Sequence, residues 1–396
     1  MDMRTNIINY LNQFDLDVRK TNDARFADQK CTPDVVCFIA DCIRNSFSEG
    51  DYFDTNSIWA SQYFIKNTRA IFNKPWPNDA RARHEYDKFI AQPLRLLASA
   101  HILELERGHR KNVYRIRNEY LLDYISQRER NTFTFLSCYF EKVLSDSGIW
   151  KYFLEYKENP TRESYLILRD RFIRFMIGNT AINTDVEVRR IFPKILNVLA
   201  VDNQIQGSER GSISKYVYTF ADLMYNRKNW RDLNKDKSIT RQEAVDDNEE
   251  LKQQEAYNAY YVQKAIAHLR KIQKESEVHD QWGQGDATQV HHIFPKSMYP
   301  QIAHYLENLI LLTATQHYTK AHPNNKTQEI NKEYQLTCLL AKADTIDYSL
   351  KKFGERYYRK ESFLYVIKVG LSQEQEWPMT MSFADIKHQL ILAYNE

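Results

Sequence analysis

The sequence is poor in the residues that build turns, with ten glycines and ten prolines among 396 residues. That scarcity argues against a sandwich of many short strands and for a helix-rich chain. The five cysteines, Cys31, Cys37, Cys42, Cys138 and Cys338, include no C-x-x-C pair, and their odd number argues against a disulfide framework. Free thiols in a reducing compartment are the expectation. No apolar run approaches the roughly eighteen residues that a membrane-crossing helix needs, so no membrane partner is expected. The first residues hold no apolar segment followed by a small-residue cleavage site, which reads as no signal peptide and a cytoplasmic protein. Net charge is scarce as well: 55 Lys and Arg against 52 Asp and Glu leave +3. Attraction to polyanions must therefore come from a local surface.

What is present is apolar and aromatic. Hydrophobic residues make up 43% of the chain, with 26 Tyr and 20 Phe, which excludes a mostly disordered protein. The length exceeds one ordinary core and implies two or three domains. The patterning predicts an α+β fold, mostly helical, in four stretches: 1–126, 127–232, a charged linker at 233–252, and 253–396.

In the first stretch Thr32 and Pro33 suit the N-cap and first turn of a helix. Val35, Phe38, Ile39, Cys42 and Ile43 follow at helical spacing. Further helices are expected over 55–72 and 79–100. Alternating runs at 101–106 and 112–117 flank Gly108 and predict a hairpin. Helices followed by a hairpin with a basic tip give a winged-helix-like outline. Residues 66–117 hold 12 Lys or Arg against 5 Asp or Glu, a larger excess than the whole chain carries. Such a patch suits DNA phosphates, and Arg107, His109, Arg110, Lys111 and Arg115 are the candidate contacts. The second stretch shows core stripes at helical spacing, to which no chemistry is assigned. The glycine-bearing run 207–213 matches no phosphate-binding motif and reads as a turn. A helix over 253–274 leads into the most informative segment.

Five of the eleven histidines lie between His291 and His322. Histidine titrates nearest neutrality and is the commonest metal ligand. His291 and His292 end a β-biased run at 288–293. A second strand is expected over 308–312, and Thr313 or Thr315 then starts a helix bearing His317 and Lys320. The order strand, loop, strand, helix reads as a metal-assisted hydrolytic site. His304 reads as a surface or packing residue. His322 stands five residues beyond His317, a poor spacing for a shared ligand face.

His291-His292, Asn308-Leu309, and His317 three residues before Lys320 resemble, in that order, the HNH endonucleases of the ββα-metal, or His-Me finger, superfamily. The likeness covers about 35 residues of this chain. It implies that His292 is the general base, and that His291 and His317 hold one divalent metal. It implies further that Asn308 ties the intervening loop and orients His292, and that Lys320 sits near a phosphate or serves the helix. Mg²⁺ or Mn²⁺ suits this chemistry, while a two-imidazole set also admits Ni²⁺ or Zn²⁺. No C-x-x-C pair for a structural zinc is present. A DNA-recognition part before a C-terminal HNH part resembles type II restriction endonucleases. That resemblance implies site-specific hydrolysis of double-stranded DNA leaving 5′-phosphate and 3′-OH ends. One such site cuts one strand, so a homodimer or transient pairing on DNA is implied. Alternatives are a homing or nonspecific HNH nuclease, or a winged-helix regulator with an inactive nuclease domain.

Overall fold

Thr32 and Pro33 do open a helix, with Thr32 extended at the N-cap, but its hydroxyl donates to Asp34 Oδ1 at 2.7 Å and leaves the helix backbone uncapped. The structure, a computed structural model, describes residues 2–72, 77, 83–108, 111–225, 243–321, 331–372 and 377–395. Side chains are described from residue 86 in the helix that begins at Arg83, and from residue 256 in the one that begins at Glu243. It is an α+β chain, mostly helical, with three two-stranded sheets among the described residues. Two compact units divide it: Arg4–Gln242, and Glu243–Glu396 with the first three residues. None of the described helices is long and apolar enough to cross a membrane.

In the first unit α1 (Met3–Leu11) and the short α2 (Val18–Thr21) precede α3 (Pro33–Ser46). Every residue of α3 from Pro33 to Ile43 is buried, so this helix is the axis of the unit. Then come α4 (Thr55–Trp59), α5 (Gln62–Phe72), α6 (Arg83–Ser99), and the antiparallel hairpin β1 (Leu103–Arg107) and β2 (Asn112–Ile116). The expected helix over 55–72 is thus two. Asp54 closes a capping box on α4, and Ser61 Oγ accepts the Phe64 N–H at the start of α5, so each helix carries its own start signal. Phe53, between α3 and α4, exchanges backbone hydrogen bonds with Tyr114 of β2 at 3.0 and 2.7 Å. The hairpin therefore gains a one-residue third strand on the β2 side.

The expected boundary at 126/127 falls within the end of α7 (Glu119–Gln127), just before α8 (Glu129–Asp146). Both pack on α3, so the first two expected domains form one body. Beyond α8 the arrangement of helices then hairpin occurs again: α9 (Trp150–Glu158), α10 (Arg162–Asn179), α11 (Asp185–Asp202), β3 (Gln206–Glu209) and β4 (Ser212–Val217). Phe192 of α11 is its hub, touching Phe153, Tyr165 and Phe172 with ring centres 5.4–6.5 Å apart. The run 207–213, expected as a plain turn, belongs to this hairpin. Arg210 and Gly211 both have positive φ, 49° and 81°, the two-residue turn that matches strand twist. Its strands are disguised because Gly207 and Ser208 face inward where apolar residues usually stand.

The expected linker, 233–252, lies outside the described residues up to 242; from Glu243 the chain is helical, in α12 (Glu243–Ile272). The second unit continues with β5 (Ala287–His292), β6 (Leu309–Thr313), a π-helical turn (Gln316–Ala321), α13 (Lys332–Phe353), α14 (Lys360–Gly370) and α15 (Phe383–Asn395). All five residues of β6 are buried. They meet Leu269 of α12, Cys338 and Leu339 of α13, Ile367 of α14 and Leu390 of α15 in one core.

Candidate active site

β5 and β6 run antiparallel, with His291 opposite Ile310 and His292 opposite Leu309. Neighbouring strand residues point to opposite faces, so the two histidines diverge. β6 is held at its centre by Glu277, which donates its N–H to Leu311 O at 3.0 Å and accepts the Leu311 N–H at 2.9 Å. The other carboxylate oxygen of Glu277 takes Lys342 Nζ at 2.6 Å, and both side chains are buried. Burial lowers the Lys342 ammonium, while Glu277 beside it works in the opposite direction. A buried ion pair of this kind fixes register more surely than it adds stability.

After β6 the chain turns through Thr313 and Gln316. Gln316 N donates to Thr313 Oγ1 at 3.2 Å, and Thr313 N donates to Gln316 Oε1 at 3.0 Å, a reciprocal cap. The expected helix begins here, but it is wound as a π turn. Gln316 is fully buried, and its amide also donates to Val278 O and Asp280 Oδ1, each at 2.8 Å. This brace was not singled out from sequence, although Thr313-x-x-Gln316 has the spacing of a capping box. It fixes the residue immediately before His317.

The result is that His291 and His317 meet. Their ring centres are 5.4 Å apart and the rings stand at 77°. Two imidazoles bound to one ion through nitrogens at about 2.1 Å and near-tetrahedral angles have ring centres roughly 5 Å apart, so this separation is compatible with a shared divalent cation. Among the described residues no third His, Cys, Asp or Glu joins them. An ion held there would complete its shell with water and phosphate oxygens. His322 lies outside the described residues.

His292 is partly buried, and its Nε2 lies 3.1 Å from Ala303 O. A carbonyl only accepts, so Nε2 carries the proton and Nδ1 keeps the lone pair. Burial lowers the pKa of this ring, the Ala303 bond opposes that, and the charge of Lys296 lowers it further. Its neutral form is therefore favoured.

Asn308 is fully buried, and its side-chain hydrogen bonds go elsewhere than to His292. It accepts the Phe294 N–H at 2.9 Å and donates to Phe294 O at 3.0 Å and Ile302 O at 3.3 Å. It ties the intervening loop as expected. The expected hydrogen bond to His292 is replaced by that of Ala303, the residue after the one Asn308 holds. Asn308 is thus a positioning residue. Lys320 Nζ sits 4.8 Å from the centre of the Trp282 ring, a cation–π contact. His304 packs beside the rings of Tyr305 and Tyr261.

The candidate DNA contacts lie on the first hairpin. Lys111 Nζ pairs with the buried Asp54 carboxylate at 2.7 Å, and Arg115 pairs with Glu104 directly across the strands. Arg107 is exposed, and His109 and Arg110 lie outside the described residues. No family model matches the chain, and neither a curated protein nor a solved structure does.

Proposed function

We propose that this chain is a metal-dependent endonuclease of the ββα-metal type that cuts double-stranded DNA at specific sites, as type II restriction enzymes do. The observation that carries the reading is the meeting of His291 and His317, with the neighbouring residue in the strand, His292, committing its Nε2 proton to a backbone carbonyl. His292 acts as general base through Nδ1, taking a proton from the attacking water. Its neutral bias suits that role, because a base must be unprotonated at working pH. His291 and His317 hold the metal, with Mn²⁺ or Mg²⁺ favoured by the chemistry. The bound ion supplies charge neutralisation at the scissile phosphate and the departing 3′ oxygen. Asn308 keeps the loop closed so that Ala303 O stays in reach of His292. Lys320, steadied on Trp282, serves the turn that carries His317.

In this reading the helices and hairpin of residues 33–116 are a winged-helix-like recognition module. The order helix, short strand, helices, hairpin, with Phe53 on the β2 side, supports it. Breaking both DNA strands then takes two copies of the chain on the duplex.

Plasmid incubated with the protein and Mn²⁺ or Mg²⁺ is the test. Discrete fragments with 5′-phosphate ends are expected, and His292→Ala is expected to lose cutting by about 100-fold or more while keeping its affinity for DNA. A smear would point to a nonspecific nuclease. Uncut plasmid, or a His292→Ala variant as fast as wild type, would refute the reading.

A further inference from the structure

The second helix-and-hairpin arrangement, residues 150–217, also presents exposed cations. In the first hairpin Lys111 and Arg115 are already matched by carboxylates. In the second, Arg210 stands exposed at the turn, and among the described residues it makes no ion pair. Beside it the Arg169 guanidinium of α10 donates to Gly211 O at 3.0 Å and so fixes the tip to the helix. The Tyr165 phenol hydrogen-bonds Ser208 Oγ at 2.7 Å, just below that tip. Burial raises this phenol, and the charges of Arg169 and Arg189 act against that.

The start of α11 is exposed as well. Val186, Arg189 and Arg190 are exposed, whereas Ile191, Phe192, Ile195 and Leu196 are buried. Arg190 and Lys194 are four residues apart and share a helix face. Lys194 in turn lines a cavity of about 350 Å³ together with Arg210. Arg190 is exposed and makes no ion pair among the described residues, whereas Lys194 is partly buried within electrostatic reach of Asp34. Of the nearby acids Asp185 pairs with Arg189, Asp170 with Arg169 and Glu187 with Arg25, while Glu209 and Asp222 line the same cavity as Arg210. Exposed cations on a helix start and on the adjoining hairpin tip are the arrangement that straddles a duplex, with the helix towards a groove and the wing against the backbone.

We infer that residues 150–217 form a second DNA-contacting module, and that Arg190 and Arg210 contact backbone phosphates of the duplex this enzyme cuts. The inference rests on the nuclease reading for its choice of partner. It assigns a role to a region whose sequence shows only core stripes.

The test measures binding of the full-length protein to a labelled 30-base-pair duplex in EDTA, at several salt concentrations. The variant combines Arg190→Ala with Arg210→Asn, since asparagine tolerates the positive φ at 210 where alanine is strained. Each lost phosphate contact lowers the salt slope by about 0.9, so the double variant is expected to lose nearly two, with affinity about tenfold weaker. Replacing both residues by Lys is expected to restore most of the slope, which a folding defect would not permit. An unchanged slope and affinity in a double variant whose wild type binds and cuts would overturn the inference and leave the nuclease reading intact. A wild type that neither binds nor cuts would remove both.

Discussion

Gly370 ends α14 where no side chain fits: a Cβ there would run into three atoms of the Phe294 ring. Phe294 cannot yield cheaply, because Asn308 holds both its backbone N–H and its carbonyl. Gly370→Ala is therefore expected to cost about 1–3 kcal/mol, the usual range for overpacking a core. Gly178, in the last turn of α10, makes the contrast: a Cβ there meets nothing within 4 Å. Gly178→Ala should stabilise by up to about 1 kcal/mol through helix propensity. Urea denaturation of the two variants checks the pair, and shifts of the same sign would contradict the packing described. Glycine's role at 370 is visible only in three dimensions, since the clash comes from a residue 76 positions earlier.

At the scale of elements, the start of α3 is tied to the residue after the β3–β4 hairpin's following turn: Asp34 Oδ2 accepts the Tyr225 N–H at 2.8 Å. Burial pushes the Asp34 carboxyl up from 3.8 to about 6, against hydrogen bonds from Thr32 and Tyr225 that lower it, with Glu129 adding to the rise. Lys194 lies within electrostatic reach and is itself lowered by burial. The folded chain thus keeps a proton that the unfolded chain releases above about pH 4. Stability contributed by this group is complete below pH 4 and is lost as pH rises through about 6, by up to about 3 kcal/mol. Asp34→Asn should flatten that fall, as read from denaturation midpoints between pH 4 and 7; parallel curves for the two proteins would contradict the assignment. Elements of this unit were unevenly legible. The apolar spacing in α3 and the alternation around Gly108 carry local signals strong enough to read. β3 was hidden because Gly207 and Ser208 are its inward residues, and their partners, Asn197 and Tyr165, lie on other helices. The break between α4 and α5 was hidden because both carry one continuous helical pattern. In the candidate site the histidines announced themselves by density and order. The grip of Ala303 on His292 did not, because a backbone carbonyl leaves no trace in sequence.

On the scale of the whole molecule, two units carry different tasks in the proposed account. The unit Arg4–Gln242 holds both helix-and-hairpin arrangements, and Glu243–Glu396 holds the three histidines. Selectivity would reside in the first and chemistry in the second. The buried Glu277–Lys342 pair and the Gln316 brace belong to the chemical unit, and they fix β6 and the π turn before any ligand arrives. A preset pair of imidazoles should bind a cation without DNA. Pulsed electron paramagnetic resonance of the full-length protein with one equivalent of Mn²⁺ tests this most directly, because it detects nitrogens bound to the ion. The account predicts coupling to two histidine nitrogens in the wild type, one in His291→Ala or His317→Ala, and none when both are replaced. Mn²⁺ that shows no nitrogen coupling, or coupling that survives loss of both histidines, would contradict it.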